Sequence, residues 1–370
     1  MSLFLTHQPL QSCSHFAPEQ GNLAGFSSDP IRQARNIFSN PVTNVIEVLQ
    51  GSRMVRIVSL LPSATELVAA LGLRESMVGR SHECDYPRGV EVLPVCTYPH
   101  FNPQGTSLQI HERVSQRLLR ALSVYGLHLE TLAALEPTHI LTQAQCEVCA
   151  VSLAEVQEAV QAHLPSHPQI ISLQPNTLAD LWQDIRTTGQ AVGVDPEPLI
   201  RGLQRRVAEI HRRCPLVHRP RVVCIEWTDP LMSAGHWVPE LVQLAGGEEQ
   251  LGHLGQASAW ITWQDLLAAD AEVLIVMPCG FSLAQTRQAV AELSQDPRWS
   301  RLRAVQEGQV YLVDGNQYFN RPGPRLVDSL EIMAEILWGQ PSRYPGSWEP
   351  LALAEAGTEA LQTQTHFLSR

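Results

Sequence analysis

The sequence predicts an α/β protein of two lobes. Short runs of β-branched residues and leucine alternate with amphipathic helical stretches along most of the 370 residues, the pattern of helices packed on mostly parallel sheets. The alternation comes as two series, and a chain of this length has room for two domains. Between the series lies a helical stretch, 195–214, with Leu199, Leu203, Val207 and Ile210 spaced for one apolar face. The repeat is one of architecture, not of sequence.

In the first series, Arg56 to Leu61 reads as a buried parallel strand stopped by Pro62. Ser63 reads as an N-cap, Glu66 three residues on closes a capping box, and Leu67, Val68 and Leu71 form a helix stripe ending at Gly72. Met77 to Ser81 is the next strand. Val90 to Val95 reads as an edge segment, Cys96 to Gly105 as proline-rich turns, Ile110 to Val124 as a helix and Leu129 to Leu135 as a short one. The strand Thr138 to Thr142, the helix Ser152 to His163 and the strand Gln169 to Leu173 complete the lobe, and a helix over Leu178 to Val192 follows.

The second series opens with the strand Arg221 to Glu226. Helices follow at Trp237 to Leu244, ended by Gly246-Gly247, and at Thr262 to Ala269. Glu272 to Met277 is a buried strand, Leu283 to Leu293 a helix, Gln309 to Val313 a last strand and Pro324 to Trp338 a closing helix. The expected divisions are a disordered extension 1–53, a first lobe 54–176, a helical connection 177–219, a second lobe 220–339 and a tail 340–370.

Hydrophobic residues make up 44% of the chain and no apolar run approaches membrane-spanning length, so a soluble protein is expected. A net charge of −11 excludes the basic face that nucleic-acid binding requires. Eight cysteines raise the question of a disulfide scaffold, yet a chain this long does not need one and its start lacks a secretory pattern. Met54, two residues before the first strand, is an alternative start of translation. On signal pattern alone the compartment is the cytoplasm.

Open α/β sheets meet ligands at the carboxyl ends of their strands. Loops 81–87, 143–150, 227–237 and 278–281 fall there, with 316–325 at the rim. Their aromatic residues, Tyr86, Trp227, Trp237, Tyr318 and Phe319, offer flat faces to a large ring-rich ligand or else pack as core. Asn320, Arg321 and Arg325 stand in the rim segment, the arginines suited to a phosphate or carboxylate. Cys84, Cys146, Cys149 and Cys279, with His82, supply sulfur and imidazole from three strand ends. The spacing of Cys146 and Cys149 lets two thiolates grip one ion, so zinc or an iron–sulfur centre completed by Cys84, Cys279 or His82 is one reading. Disulfide or redox chemistry and simple packing are the others. Zinc deaminase chemistry is a near miss, since His82-Glu83-Cys84 lacks the H-x-E order and no proline precedes Cys146. A Cys84–His82 hydrolase lacks a third, orienting group.

The segments Ser59 to Glu66, Gly72 to Gly79 and Asp85 to Pro87 carry the phrases "SPxxTE", "GLxxxxVG" and "DYP" in near form, and Ala304 to Gly315 and Arg321 to Glu331 carry "AVxEGxVYxVDG" and "RPGPRxVDxLE". In these, from about Arg56 to Trp338, the sequence resembles the cobalamin- and iron-siderophore-type substrate-binding proteins of ABC importers. The resemblance implies two Rossmann-like lobes joined by a long rigid helix, here 195–214, with a ligand cleft between them and modest closure. It implies a monomeric protein that binds a corrinoid or related metal chelate without turning it over and needs no cofactor of its own. Tyr86 and Phe319 fall where cobalamin binders of that family carry ligand-facing residues. It further implies a periplasmic location and an ABC permease partner met by acidic residues, with Glu248 the candidate in the second lobe and Glu147 and Glu155 in the first. An intracellular carrier, or a metal- or iron–sulfur-containing enzyme on the same scaffold, are the alternatives.

Overall fold

A computed structural model describes residues 54–120, 123–144, 150–214 and 218–352. The chain divides into Met1–Arg53 and Met54–Arg370, and everything below concerns the second unit. Its first lobe is a four-stranded parallel sheet in the order β2-β1-β5-β6, made of Ile57–Ser59 (β1), Met77–Arg80 (β2), His139–Gln143 (β5) and Gln169–Leu173 (β6). Thr97–Pro99 (β3) and Tyr125–Leu127 (β4) form a separate antiparallel pair. The helices of this lobe are Pro62–Ala70 (α1), Ser107–Leu119 (α2), Leu129–Leu135 (α3) and Leu153–His163 (α4).

Leu178–Ala191 (α5) and Glu197–Arg213 (α6) lead to the second lobe. Helix α6 has a proline in its first turn, Glu197 at its amino end and His211, Arg212 and Arg213 at its carboxyl end, charges that complement the helix dipole. Its 17 residues span about 25 Å. Arg206 of α6 reaches Asp328 at 2.6 Å and Glu331 at 2.9 Å in the last helix, Leu326–Leu337, so the connecting helix is clamped to the second lobe.

The second sheet runs β10-β8-β7-β11-β12-β13, with β9 also on β7. Its strands are Arg221–Thr228 (β7), Leu231–Ser233 (β8), Glu248–Glu249 (β9), Ala259–Trp260 (β10), Val273–Val276 (β11), Val310–Val313 (β12) and Trp348–Pro350 (β13). The intervening helices are Val238–Leu244 (α7), Trp263–Ala268 (α8), Leu283–Leu293 (α9), Arg303–Gln306 (α10) and the last helix, α11. Val222 to Ile225 and Leu274 to Val276 are buried on both faces, which is why these strands read as unbroken apolar runs. Helix α11 is buried on nearly every side, as an all-round apolar helix must be.

Several expectations change. Helix α1 begins at Pro62 with Leu61 at the N-cap position and no side-chain cap, so Ser63 and Glu66 form no capping box; Glu66 is engaged elsewhere. The 90–95 segment is a single 3-10 turn, Val90–Val92, followed by one bridge from Val95 to Arg80. The proline-rich stretch contains β3, whose partner β4 follows the intervening helix, and that helix ends at Leu119, short of Val124. The tail carries β13, antiparallel to β12, because Trp348 packs its ring against Tyr311 at 5.8 Å and its indole N–H donates to buried Glu335.

Trp348 is half-buried, so truncating it forfeits about half of what a core tryptophan is worth. Trp348→Ala is expected to lower stability by about 2 kcal/mol, measured by urea unfolding monitored by circular dichroism.

Candidate functional site

The loop after β2 and the segment after β12 meet between the lobes. Arg325, at the N-cap of α11, grips Glu66 of α1 with two parallel bonds, Nε to Oε2 at 3.0 Å and Nη2 to Oε1 at 2.7 Å. Arg321 grips Asp85 in the same way, at 2.6 and 3.0 Å, and reaches Glu66 at 3.3 Å. Asn316 bridges the pair, donating to Asp85 and accepting from Arg321. The Glu66 side chain is 1% exposed and those of Arg321 and Arg325 are under 10%. Two carboxylates and two guanidiniums thus balance in a contact that is nearly dry at Glu66 and reaches solvent at Asp85, whose side chain is 40% exposed; forked pairing is the geometry that offsets desolvation. Burial works to raise the Asp85 carboxyl, and the hydrogen bonds and charge of Arg321, aided by Asn316 and Arg325, outweigh it and hold it below its ordinary value.

Tyr86 lies with its ring 4.0 Å from the Arg325 guanidinium and keeps 42% of its surface exposed. Tyr318 stands 5.2 Å away on the same cation. Arg321 and Arg325 are therefore joined to protein carboxylates, and the expectation that they await a ligand's phosphate or carboxylate is corrected.

His82 stands in the same loop. The hydroxyl of Thr97, from β3, accepts from the His82 backbone N–H at 3.0 Å and lies 3.1 Å from Ser81 Oγ and 2.7 Å from His82 Nδ1. A Thr97 hydrogen turned toward Ser81 lets the hydroxyl accept from Nδ1–H, the tautomer that leaves a lone pair on Nε2; turned toward Nδ1, it gives the opposite tautomer. Burial, then the charges of Arg80 and His128, lower the imidazole to about 4, so it is neutral at physiological pH. Glu83 Oε1 is 4.0 Å from Nε2 and 3.4 Å from the Tyr125 hydroxyl. Its side chain is 40% accessible, with protein packed around the rest of it. That burial raises the carboxyl to about 7, against the lowering effects of Arg321 and Tyr125 and with Asp85 adding to the rise.

The remaining expected site residues divide. Trp227 ends β7 half-buried, edge-on to Phe281 at 5.3 Å, and its indole nitrogen is buried with no hydrogen-bond partner among the described residues. Trp237 and Phe319 are core instead: Phe319 is fully buried, Trp237 nearly so, and the Trp237 indole N–H donates to the Phe319 carbonyl at 2.6 Å. Asn320 is a tether, its amide donating to the carbonyls of Met277 and Gly315 at 2.9 Å each. Cys84 is buried, within 3.0 Å of Thr65 Oγ1, and burial above all pushes its thiol up to about 11, so it is not a thiolate at neutral pH. Cys279 is half-buried just beyond β11, and Cys146, Cys149 and Glu147 lie outside the described residues. Among the described residues no group of three or more His, Cys, Asp or Glu is placed to hold a metal ion. Glu155 is engaged in the capping box of α4 with Ser152, while Glu248 is exposed. Thr97, which orients His82, carried no signal in the sequence.

The family profile of the periplasmic binding proteins matches residues 57–316, well over half of the chain. The chain belongs to that family. It is a substrate-binding protein of the ABC-importer kind, and its chemistry is binding, not turnover. The vitamin B12-binding protein of Vibrio cholerae is 22% identical over 286 residues, 76% of this chain and 88% of the relative. An uncharacterized ABC transporter substrate-binding lipoprotein of Bacillus subtilis is also 22% identical, over 86% of this chain and 91% of its own length. The crystal structure of the Vibrio cholerae vitamin B12-binding protein aligns with a TM-score of 0.51 at 21% identity, covering 76% of this chain and 96% of that one. A periplasmic heme-binding protein from Roseiflexus aligns with 0.59 at 23%, covering 78% and 99%. These structures share the fold, α/β with two parallel-rich sheets. No described helix is long and apolar enough to cross a membrane.

Two predictions follow from the charges. Glu66→Gln leaves Arg325 buried without its counter-charge and is expected to cost about 3–5 kcal/mol, read by urea unfolding. A carboxyl whose folded value exceeds its unfolded one loses stability as pH rises between the two. The wild type should therefore lose stability as pH rises from the ordinary carboxyl range to about 7 through Glu83, Asp184 and Glu249, all raised to about 7 mainly by burial, and Glu83→Gln should show a shallower fall when melting temperature is followed against pH.

Proposed function

We propose that the chain binds a corrinoid, or a metal chelate of similar shape without anionic groups at its edge, between its lobes as the substrate-binding component of an importer. The observation that carries this is His82. Its Nδ1 lies 2.7 Å from the Thr97 hydroxyl and its imidazole stays neutral; in the tautomer with the proton on Nδ1, Nε2 offers a lone pair suited to the open axial position of a chelated metal. Exposed Tyr86, in the same loop as His82, and Trp227, near the end of β7 in the second lobe, are the aromatic faces available to the ligand, and the unpartnered Trp227 indole N–H suits an amide carbonyl on the ligand's edge. Arg321 and Arg325 are neutralised by Asp85 and Glu66, which favours an amide-edged corrinoid over a chelate bearing free carboxylates. The similarity to a vitamin B12-binding protein supports the same reading. Exposed Glu248 serves as the second lobe's contact with a permease.

Titration with hydroxocobalamin tests this. The expected result is uptake of one equivalent with a shift of the visible bands as imidazole replaces water on cobalt. His82→Ala should lose the shift and weaken binding about tenfold or more, that is by at least about 1.4 kcal/mol. Uptake of haemin with no uptake of hydroxocobalamin would overturn the corrinoid assignment.

A further inference from the structure

Apart from the start of the connecting segment, where Asn176 meets His236 at 2.9 Å and the Leu178 N–H donates to Glu240, the lobes touch along two edges held by different forces. One edge is the charged cluster of Glu66, Asp85, Arg321 and Arg325, closed further by a backbone approach. A Cβ built on Gly323 of the second lobe would lie 3.4 Å from both Cα and Cβ of Ser63 in the first. That spacing leaves no room for water. Among the described residues, the other edge is held by one bond between the hydroxyls of Ser107 and Thr228, 2.6 Å apart, and by the edge of His111 against Trp260 at 5.3 Å. Trp260 is already 59% exposed.

Separating the charged edge would strip forked partners from ions taken out of water, the costly direction for a buried pair. Separating the other exchanges one neutral hydrogen bond for bonds to water, a near-even trade. The second edge also borders a cavity of about 640 Å³, lined by Thr106 and Leu108 of the first lobe and mostly by second-lobe residues running from Thr228 and Pro230 through Trp263 to Asp296.

We infer that the lobes pivot on the Glu66–Arg325 edge and part at the Ser107–Thr228 edge, and that ligand passes through the cavity there. The passage rests on the reading of the interlobe space as the binding site; the pivot does not. Two disulfide staples separate the possibilities: Ser63→Cys with Gly323→Cys on the charged edge, and Ser107→Cys with Thr228→Cys on the other. Spin labels are carried on a ketone-bearing amino acid introduced at the Leu108 and Trp260 positions, and their separation is measured by double electron–electron resonance in the ligand-free full chain.

The expected distance distribution is broad without staples, equally broad with the 63–323 staple, and narrow with the 107–228 staple. A distribution narrowed by the 63–323 staple, or narrow with no staple, overturns the pivot. Stopped-flow uptake and release of hydroxocobalamin provide the second readout. The 107–228 staple should slow both at least tenfold until reduced, and the 63–323 staple should leave both within twofold. A broad, 63–323-insensitive distribution with no hydroxocobalamin uptake by the reduced chain sinks the corrinoid reading and leaves the pivot standing. Uptake that only the 63–323 staple blocks overturns the passage.

Discussion

A buried ion cluster governs how this molecule is put together. Glu66 belongs to the first helix of the first lobe, and its two arginines come from the segment that opens the last helix of the second, more than 250 positions away in the chain. Buried charges are tolerated only when geometry and hydrogen bonding are nearly complete, and here both acids are met by forked guanidiniums. The cluster therefore fixes the register between two independently built sheets. It also sets the edge from which the loop 81–87 projects, so the same contact that joins the lobes positions His82, Glu83 and Tyr86.

The site combines a rigid wall and an adaptable one. In the first lobe, Ser81, Thr97 and the His82 backbone form a set of hydrogen bonds that hold the imidazole in place with Nδ1 against the Thr97 hydroxyl. In the second lobe, Trp227 stands near the end of β7, whose middle is buried, and the 315–321 segment is pinned by Asn320 to the end of β11. Polar anchors are few and each is oriented by a neighbour, the arrangement that lets a binding protein discriminate without reorganising.

Much of the fold was legible in the sequence, since β6 and the helices Leu129–Leu135 and Leu283–Leu293 fall where periodicity and flanking turn residues place them. The short edge pieces were not legible. Strands β3 and β13 lie among prolines and owe their existence to partners, respectively β4 and β12, that local propensity cannot see. The site was read less well for a related reason. Glu66 sits three residues after Ser63, a spacing that mimics a capping box, and only the folded chain shows a guanidinium fork in its place. Phe319 and Trp237 looked like ligand platforms because aromatic residues in loops serve core and cleft alike, and burial alone separates the two uses.

The close approach of Gly323 to Ser63 has a bearing on how members of such a fold diversify. Where two backbones touch without side chains between them, no insertion or bulkier residue fits on either strand of contact without forcing the lobes out of alignment. The surface around Pro230, Ile261 and Trp263 has no such tightness. Changes that accommodate a larger or differently shaped cargo should therefore accumulate in the 228–263 loops, while Ser63 and Gly323 stay small in any variant that keeps this interlobe angle.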